Sequence, residues 1–418
     1  MSKKKTGVKE RRENKKEGKK KGIEGTDAWN IADWDYSGLI AMDMMPILSA
    51  PLAGQERIDY LSEILKGCPE YYPALIELGY RYMQNGEDED GKAFIDKGLQ
   101  SLKTHFSMDN LIDTYYEICE FLEKHFRFEM AIEYYNQLME IESDKAKVYD
   151  SISYCYYYLG NLKKAYEIQQ KALELNDSNA KFYCNMGWIE MTRGNLDNAK
   201  TMLEKSLELD QEDEVTINNV EACRLMLKNK LKNWEAYLLR RTDYDYLEKL
   251  QGEDDFEEYN RQIRIYNRDK IEAFKSDLGR NSNYTPTEKY DISFSLNYIL
   301  DLIWRSYESD YFYYDDILSM EVSFKSIMHK FILKTKDIDD EIFNGVYKAI
   351  LEFYKYLEKK KVVSGYKSLK KEMLTLKPEL MEKMLRYNEI RHNDEYSEEE
   401  KDDIRDELFE GDAYLPIF

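Results

Sequence analysis

Long apolar runs are missing from this chain. No stretch of about 18 apolar residues occurs, so no membrane-spanning helix is expected. No apolar core follows the charged N-terminus, so no secretory leader is expected either. Helix breakers are scarce, with 19 Gly and 7 Pro among 418 residues. Little of the chain is therefore set aside for turns. The five cysteines (Cys68, Cys119, Cys155, Cys184, Cys223) are odd in number and form no CxxC pair. That argues against a disulfide framework and for reduced thiols in a cytoplasmic protein. The four histidines (His105, His125, His329, His392) are scattered, so no metal-ligand cluster is expected. Phosphate and cofactor cradles are missing too: there is no Walker A loop, no GxGxxG after a strand, no GxSxG and no HExxH. The chain is read as non-enzymatic, with no catalytic residue, no cofactor and no metal. An undetected activity in residues 280–418 is the alternative. Positive charge is also short. With 61 Lys+Arg against 82 Asp+Glu, the net charge is −21, which opposes a body that grips a nucleic-acid backbone.

What the chain has in quantity is Tyr, Leu, Glu and Lys, in long periodic segments that predict helix nearly throughout. One of these segments restates itself. GNLKKAYEIQQKALELNDSNA (160–180) is followed by GNLDNAKTMLEKSLELDQED (194–213), with Gly160 and Gly194 34 residues apart. Asn161 and Asn195, Leu162 and Leu196, Ala165 and Ala199, and Leu173 and Leu207 keep the same step. With Ala146 as the first position of a unit, Tyr149, Ile152, Tyr156, Gly160, Ala165 and Ala172 follow at 4, 7, 11, 15, 20 and 27. The next unit opens at Ala180, with Tyr183, Met186, Gly187, Gly194, Ala199 and Leu203. An earlier unit opens at Ile112, with Tyr115, Ile118, Leu122, Ala131 and Tyr135. It carries Phe126 where the others have Gly, which predicts a distorted turn. A unit at Tyr72 has Leu78, Gly79, Tyr82 and Gly86, with Gly91 and Gly98 in place of two alanines. Residues 55–68 read as half a unit before it.

The spacing and these positions resemble the tetratricopeptide repeat family over residues 55–213. The resemblance implies an all-α fold: a superhelix of helical hairpins, whose small residues let the paired helices approach and whose neighbours must stack to bury their apolar faces. It also implies a concave wall lined by positions 2, 5, 9, 12 and 13 of each first helix. Here those positions give Tyr80, Tyr116, Glu120, Asp150, Tyr154, Tyr157, Tyr158 and Trp188 as the partner-binding groove. An aromatic wall suits an apolar or Pro-containing peptide. The same rings could instead pack against other parts of the chain. Lys147 and Lys181 fall at position 2, but the asparagines and further cations of a carboxylate clamp are absent, so that use of the family is not expected.

The ends differ from the body. Residues 1–25 hold 9 Lys and 2 Arg against 4 Glu and are read as a disordered basic tail, either solubilising or an arm for RNA or the ribosome. Residues 26–54 form an aromatic lead-in expected to cap the first repeat or lie along the groove. The repeat array with its cap helix spans 55–230, a charged helical connector 231–278, a linker 279–291, and a C-terminal helical bundle 292–418. His329–Tyr387 is similar to a helical module of bacterial proteins, some of which carry a zinc-binding SEC-C motif; no such Cys-rich motif occurs here. Ser397–Glu400 is a capping box for a helix that Gly411 can close. The final AYLPIF is expected to dock on the body, the alternative being a short peptide for a partner. The function expected from the sequence is a scaffold or adaptor that binds a protein or peptide partner. The alternative is an RNA- or ribosome-associated protein using the basic tail.

Overall fold

The computed structural model describes residues 54–306, 314–336 and 338–410. The readings given above for 1–25, 26–53 and 411–418 lie outside them. Among the described residues there are eighteen α-helices and no strand. Two compact units are distinguished, one ending at Val148 and one beginning at Tyr149. The first holds α1 (Gly54–Gly67), α2 (Tyr72–Gln84), α3 (Asp88–His105), α4 (Met108–Lys124) and α5 (Phe128–Leu138). The division falls within α6 (Lys145–Tyr158). The second unit continues with α7 (Leu162–Leu175), α8 (Ala180–Arg193), α9 (Leu196–Leu209), α10 (Glu214–Lys228), α11 (Trp234–Leu238), α12 (Tyr244–Gly252) and α13 (Phe256–Arg280). It ends with α14 (Pro286–Ser306), α15 (Ile317–Lys334), α16 (Asp340–Lys359), α17 (Tyr366–Arg391) and α18 (Glu398–Phe409).

Four hairpins share one close contact. The residue at position 8 of each first helix lies against the backbone carbonyl of position 20 in the second. Ser153 Oγ donates to the Ala165 carbonyl at 2.7 Å, and Cys119 Sγ to that of Ala131 at 3.7 Å. A Cβ on Gly187 would sit 3.3 Å from the Ala199 oxygen, and one on Gly79 only 2.7 Å from the Gly91 oxygen. Small residues are therefore demanded at both positions by the interhelix distance. Ala131, Ala165 and Ala199 are fully buried as a result.

The turns are equally regular, including the one predicted to be distorted. Gly86, Gly160 and Gly194 have φ of 86°, 78° and 84°, and Phe126 adopts the same left-handed region at 59°. Behind each, the next amide closes on the carbonyl five residues back: Glu87 on Tyr82, Arg127 on Leu122, Asn161 on Tyr156 and Asn195 on Glu190, all at 2.8–2.9 Å. Such a helix-ending turn needs the left-handed residue. Its strain in a non-glycine is about 1–2 kcal/mol, small enough for these bonds and the packed hairpin to override.

Beside that turn, the His125 ring is buried and stacks on Phe121 with centroids 4.0 Å apart. Its Nδ1–H donates to the Phe121 carbonyl at 2.8 Å, and Nε2 faces the Gln84 amide at 3.4 Å. Burial, opposed by the Phe121 bond and aided by Arg127 and Lys124, lowers its pKa from 6.5 to about 4. The unfolded chain therefore takes up this proton first, and stability falls as pH drops from 6.5 towards 4. The thermal midpoint of the wild type is expected to fall more steeply across that interval than that of His125→Phe, which keeps the stack and removes the titration. Parallel pH profiles would show that His125 does not contribute.

In the second unit the expected linker at 279–291 is mostly helical. Only residues 281–285 separate α13 from α14. The helices α14 to α17 surround a core that includes Phe324, Phe331, Phe343, Phe353, Tyr354 and Met384. Both bonds of the Ser397–Glu400 capping box are present at the start of α18. Glu410 carries a left-handed φ of 56° at its C-cap. Its Phe409 ring is clamped edge-on between His329 and Tyr387.

Candidate functional site

The concave-wall positions divide by exposure. In the first unit, the half-buried Tyr80 ring stacks on Phe121 with centroids 3.9 Å apart. Burial pushes its hydroxyl well above the usual tyrosine range. Tyr116 is also half-buried. Its hydroxyl donates to Glu142 at 3.3 Å and Lys147 Nζ lies 3.8 Å above its ring. Glu120 is exposed.

In the second unit Asp150 is buried, and its Oδ1 accepts the side-chain amides of Gln169 at 2.8 Å and Asn185 at 2.7 Å. Lys181 stands 3.5 Å from its other oxygen. Asp150 thus ties first helices together and has little capacity left for a partner. Tyr157 is buried under Trp188, with centroids 3.7 Å apart, and burial raises its pKa to about 12. Tyr158 donates to Glu272 at 3.0 Å. Tyr154 keeps 39% of its surface exposed beside Tyr158 and the half-buried Trp188.

Glu272 belongs to α13, and so does Arg280, whose Cδ lies 3.1 Å from where a Cβ on Gly160 would stand. The long connector helix therefore covers the wall at Tyr157 and Tyr158. Of the two uses open to these rings, packing against the same chain is realised at those two positions.

Farther along, α13 parts from the wall. A cleft of about 320 Å³ lies between it, α10 and α11. Its near side is Val215, Asn218, Ala222 and Leu225, which follow Lys181, Cys184, Trp188 and Met191 by 34 residues each. They fall at positions 2, 5, 9 and 12 of the repeat register, which therefore runs on through α10. That step was present in the sequence. It was hidden because no second helix with small residues follows; α11 has five residues. Asp213 caps α10, and Thr216 bonds Ser206 at 3.0 Å, which holds α10 in the array's register.

The far side is Arg261, Gln262, Ile265 and Arg268 of α13 with Trp234 of α11. Val215 and Leu225 are 61% and 42% exposed. Arg261 is paired with Glu258 at 2.6 Å, whereas Arg268 is exposed with its nearest paired carboxylate, Asp269, at 3.7 Å. The cleft thus offers apolar seats, the Asn218 amide and the loosely held Arg268 guanidinium, beside the carboxylates of Glu221, Asp269 and Glu272. Those groups can take an extended peptide with an apolar side chain and a nearby carboxylate. Among the described residues no group of three His, Cys, Asp or Glu could hold a metal, and no helix is long and apolar enough to cross a membrane. All five cysteines are buried.

Residues 146–179 and 180–213 each match the tetratricopeptide repeat. No curated protein matches the sequence. Among solved structures the chain is similar to YrrB, described as a TPR protein with an unusual peptide-binding site, at 16% identity and a TM-score of 0.30 over 40% of this chain and 83% of that one. It is similar to MamA at 22% identity and a TM-score of 0.27, covering 37% and 87%. It is also similar to the P58(IPK) TPR domain at 11% identity and a TM-score of 0.25, covering 81% and 85%.

Proposed function

We propose that this chain, which carries tetratricopeptide repeats at 146–213, is a non-catalytic scaffold that binds a peptide segment of a partner protein on the concave side of its second unit. Repeats of this kind commonly mediate protein–protein interaction. The observation that carries the reading is the cleft at α10, where wall positions 2, 5 and 12 (Val215, Asn218 and Leu225) remain exposed beside the buried Ala222, after α13 has covered Tyr157 and Tyr158. Tyr154 and Trp188 extend the wall towards it, and Tyr80, Tyr116 and Glu120 are the corresponding positions of the first unit. The binding step is burial of a partner segment against preformed helices, with Arg268 selecting for a carboxylate.

The test is selection from a displayed peptide library on the full-length chain, with wild type beside Val215→Glu/Leu225→Glu. Both side chains are exposed, so the variant is expected to fold. Peptides enriched on the wild type should bind the variant at least about tenfold more weakly, the scale of losing a central apolar contact. Equal enrichment on both proteins would refute the cleft. A deletion of residues 1–25 runs alongside, because salt-sensitive RNA retention lost with the tail would favour the RNA reading instead.

A further inference from the structure

A second groove lies in the C-terminal helices, between α16 and α17, with a volume of about 800 Å³. It is lined from α16 by Asn344, Tyr347, Lys348, Leu351, Glu352, Lys355, Glu358 and Lys359, and from α17 by Tyr366, Lys370, Leu374 and Lys377. On each helix these residues recur at three- and four-residue steps, so each contributes one continuous face. The lining holds five lysines against two glutamates, in a chain whose net charge is −21.

Both carboxylates are already engaged. Glu352 pairs with Lys355 at 3.1 Å. Glu358 accepts the Gly365 and Tyr366 amides at 3.1 and 3.0 Å, supplying the cap that Gly365 has no side chain to provide at the start of α17. Lys348 reaches out to Glu288 at 3.1 Å, and Lys377 lies 5.2 Å from the Tyr347 ring centroid. Lys359 and Lys370 are exposed and make no ion pair among the described residues. The floor is apolar, with Leu374 46% exposed and Leu351 half-buried. Pro378, inside α17, supplies no N–H to the Leu374 carbonyl.

We infer that this groove is a docking site for an acidic amphipathic helix of a partner protein. Charge complementarity selects the partner: the unpaired lysines sit at the rim of a groove with five lysines against two engaged glutamates, so a carboxylate-bearing segment meets local attraction here. Shape selects a helix. From Asn344 to Lys359 the α16 face is about 22 Å long at 1.5 Å per residue, which accommodates about four turns of a third helix against the pair. The apolar floor separates this site from a purely electrostatic one. Leucines spaced at three and four residues would reach Leu351 and Leu374, while glutamates flank them beside Lys359 and Lys370.

The probe is a labelled helical peptide of about 16 residues, with leucines on one face and glutamates elsewhere, titrated onto the full-length protein by fluorescence anisotropy. Its counterparts carry lysine for glutamate, or serine for leucine. The glutamate–leucine peptide should bind, and Lys359→Glu/Lys370→Glu should weaken it at least about tenfold, as expected for two opposed charges at an interface. Binding should also weaken as salt rises. The double variant changes exposed side chains only, and its circular dichroism should match the wild type. Unchanged affinity in the variant would overturn the inference. So would equal binding of the leucine-free peptide, or equal competition by poly-U, which would mark a general polyanion surface. Self-association of the wild type that the peptide reverses would replace the partner with a second copy of the chain.

Discussion

Asp315→Ala is expected to lower stability by about 3–5 kcal/mol, the cost of stripping one partner from a buried ion pair. Lys270, on α13, is fully buried, and its ammonium lies 3.3 Å from Asp315 Oδ2. Asp315 also accepts the Thr242 amide at 3.1 Å and the Thr242 hydroxyl at 2.9 Å. The alanine would strip the Thr242 donors of this acceptor and leave the buried Lys270 ammonium with only the Tyr266 and Arg240 carbonyls, at 3.3 and 3.5 Å. Burial already lowers the Lys270 pKa, opposed by Asp315, so without the carboxylate the amine would shed its proton more readily. Lys270→Met/Asp315→Leu should lose far less than the single variant, because it removes charge and counter-charge together. The network bears on function through its neighbours. Arg240 pairs with Asp269 at 2.6 Å, and both line the cleft beside α10. Urea unfolding followed by circular dichroism measures these differences. A loss below about 1 kcal/mol for Asp315→Ala would match an exposed pair and contradict the buried network.

Gly79→Leu should be comparably damaging, at about 3 kcal/mol, the upper range of overpacking costs. A Cβ there would stand 2.7 Å from the Gly91 backbone oxygen and 2.7 Å from Ile95 Cγ1. Gly91 faces it with no more room, 2.5 Å from Met83 Cγ. A backbone oxygen cannot rotate away, so α2 and α3 must separate. Gly252→Ala is the control. Nothing lies within 4 Å of its Cβ, and the change should be neutral or stabilising by about 0.5–1 kcal/mol. Equal thermal midpoints for Gly79→Leu and the wild type would show that the hairpin is looser than described.

These two sites differ in how far the sequence disclosed them. Gly79 and Gly91 stand where the repeat needs small residues, so their closeness followed from the 34-residue register. The same register placed Ala131, Ala165 and Ala199 in the core. Phe126 misled, because a left-handed φ is a preference of about 1–2 kcal/mol that surrounding bonds can outweigh. Lys270 and Asp315 gave no signal, being one lysine and one aspartate in a chain with 143 charged side chains, 61 basic and 82 acidic. The cover over Tyr157 and Tyr158 was equally hidden. Its Tyr158–Glu272 bond spans 114 residues, and no local pattern reports a contact at that separation. The continuation of the repeat register at Val215, Asn218, Ala222 and Leu225 was present in the sequence. It was obscured because the small residues of a second helix, which make the repeat conspicuous, stop after α9.

The central claim is that the open end of the concave wall at α10 receives a partner segment. The most direct measurement is site-specific photo-crosslinking of the full-length chain in its native extract. A photoreactive residue would stand at Leu225 in the cleft, or at the exposed Glu167 on the second helix α7. A discrete protein adduct from Leu225, absent from Glu167 and suppressed by Val215→Glu, is the predicted result. Adducts of equal yield from both positions, or none from Leu225, would contradict it.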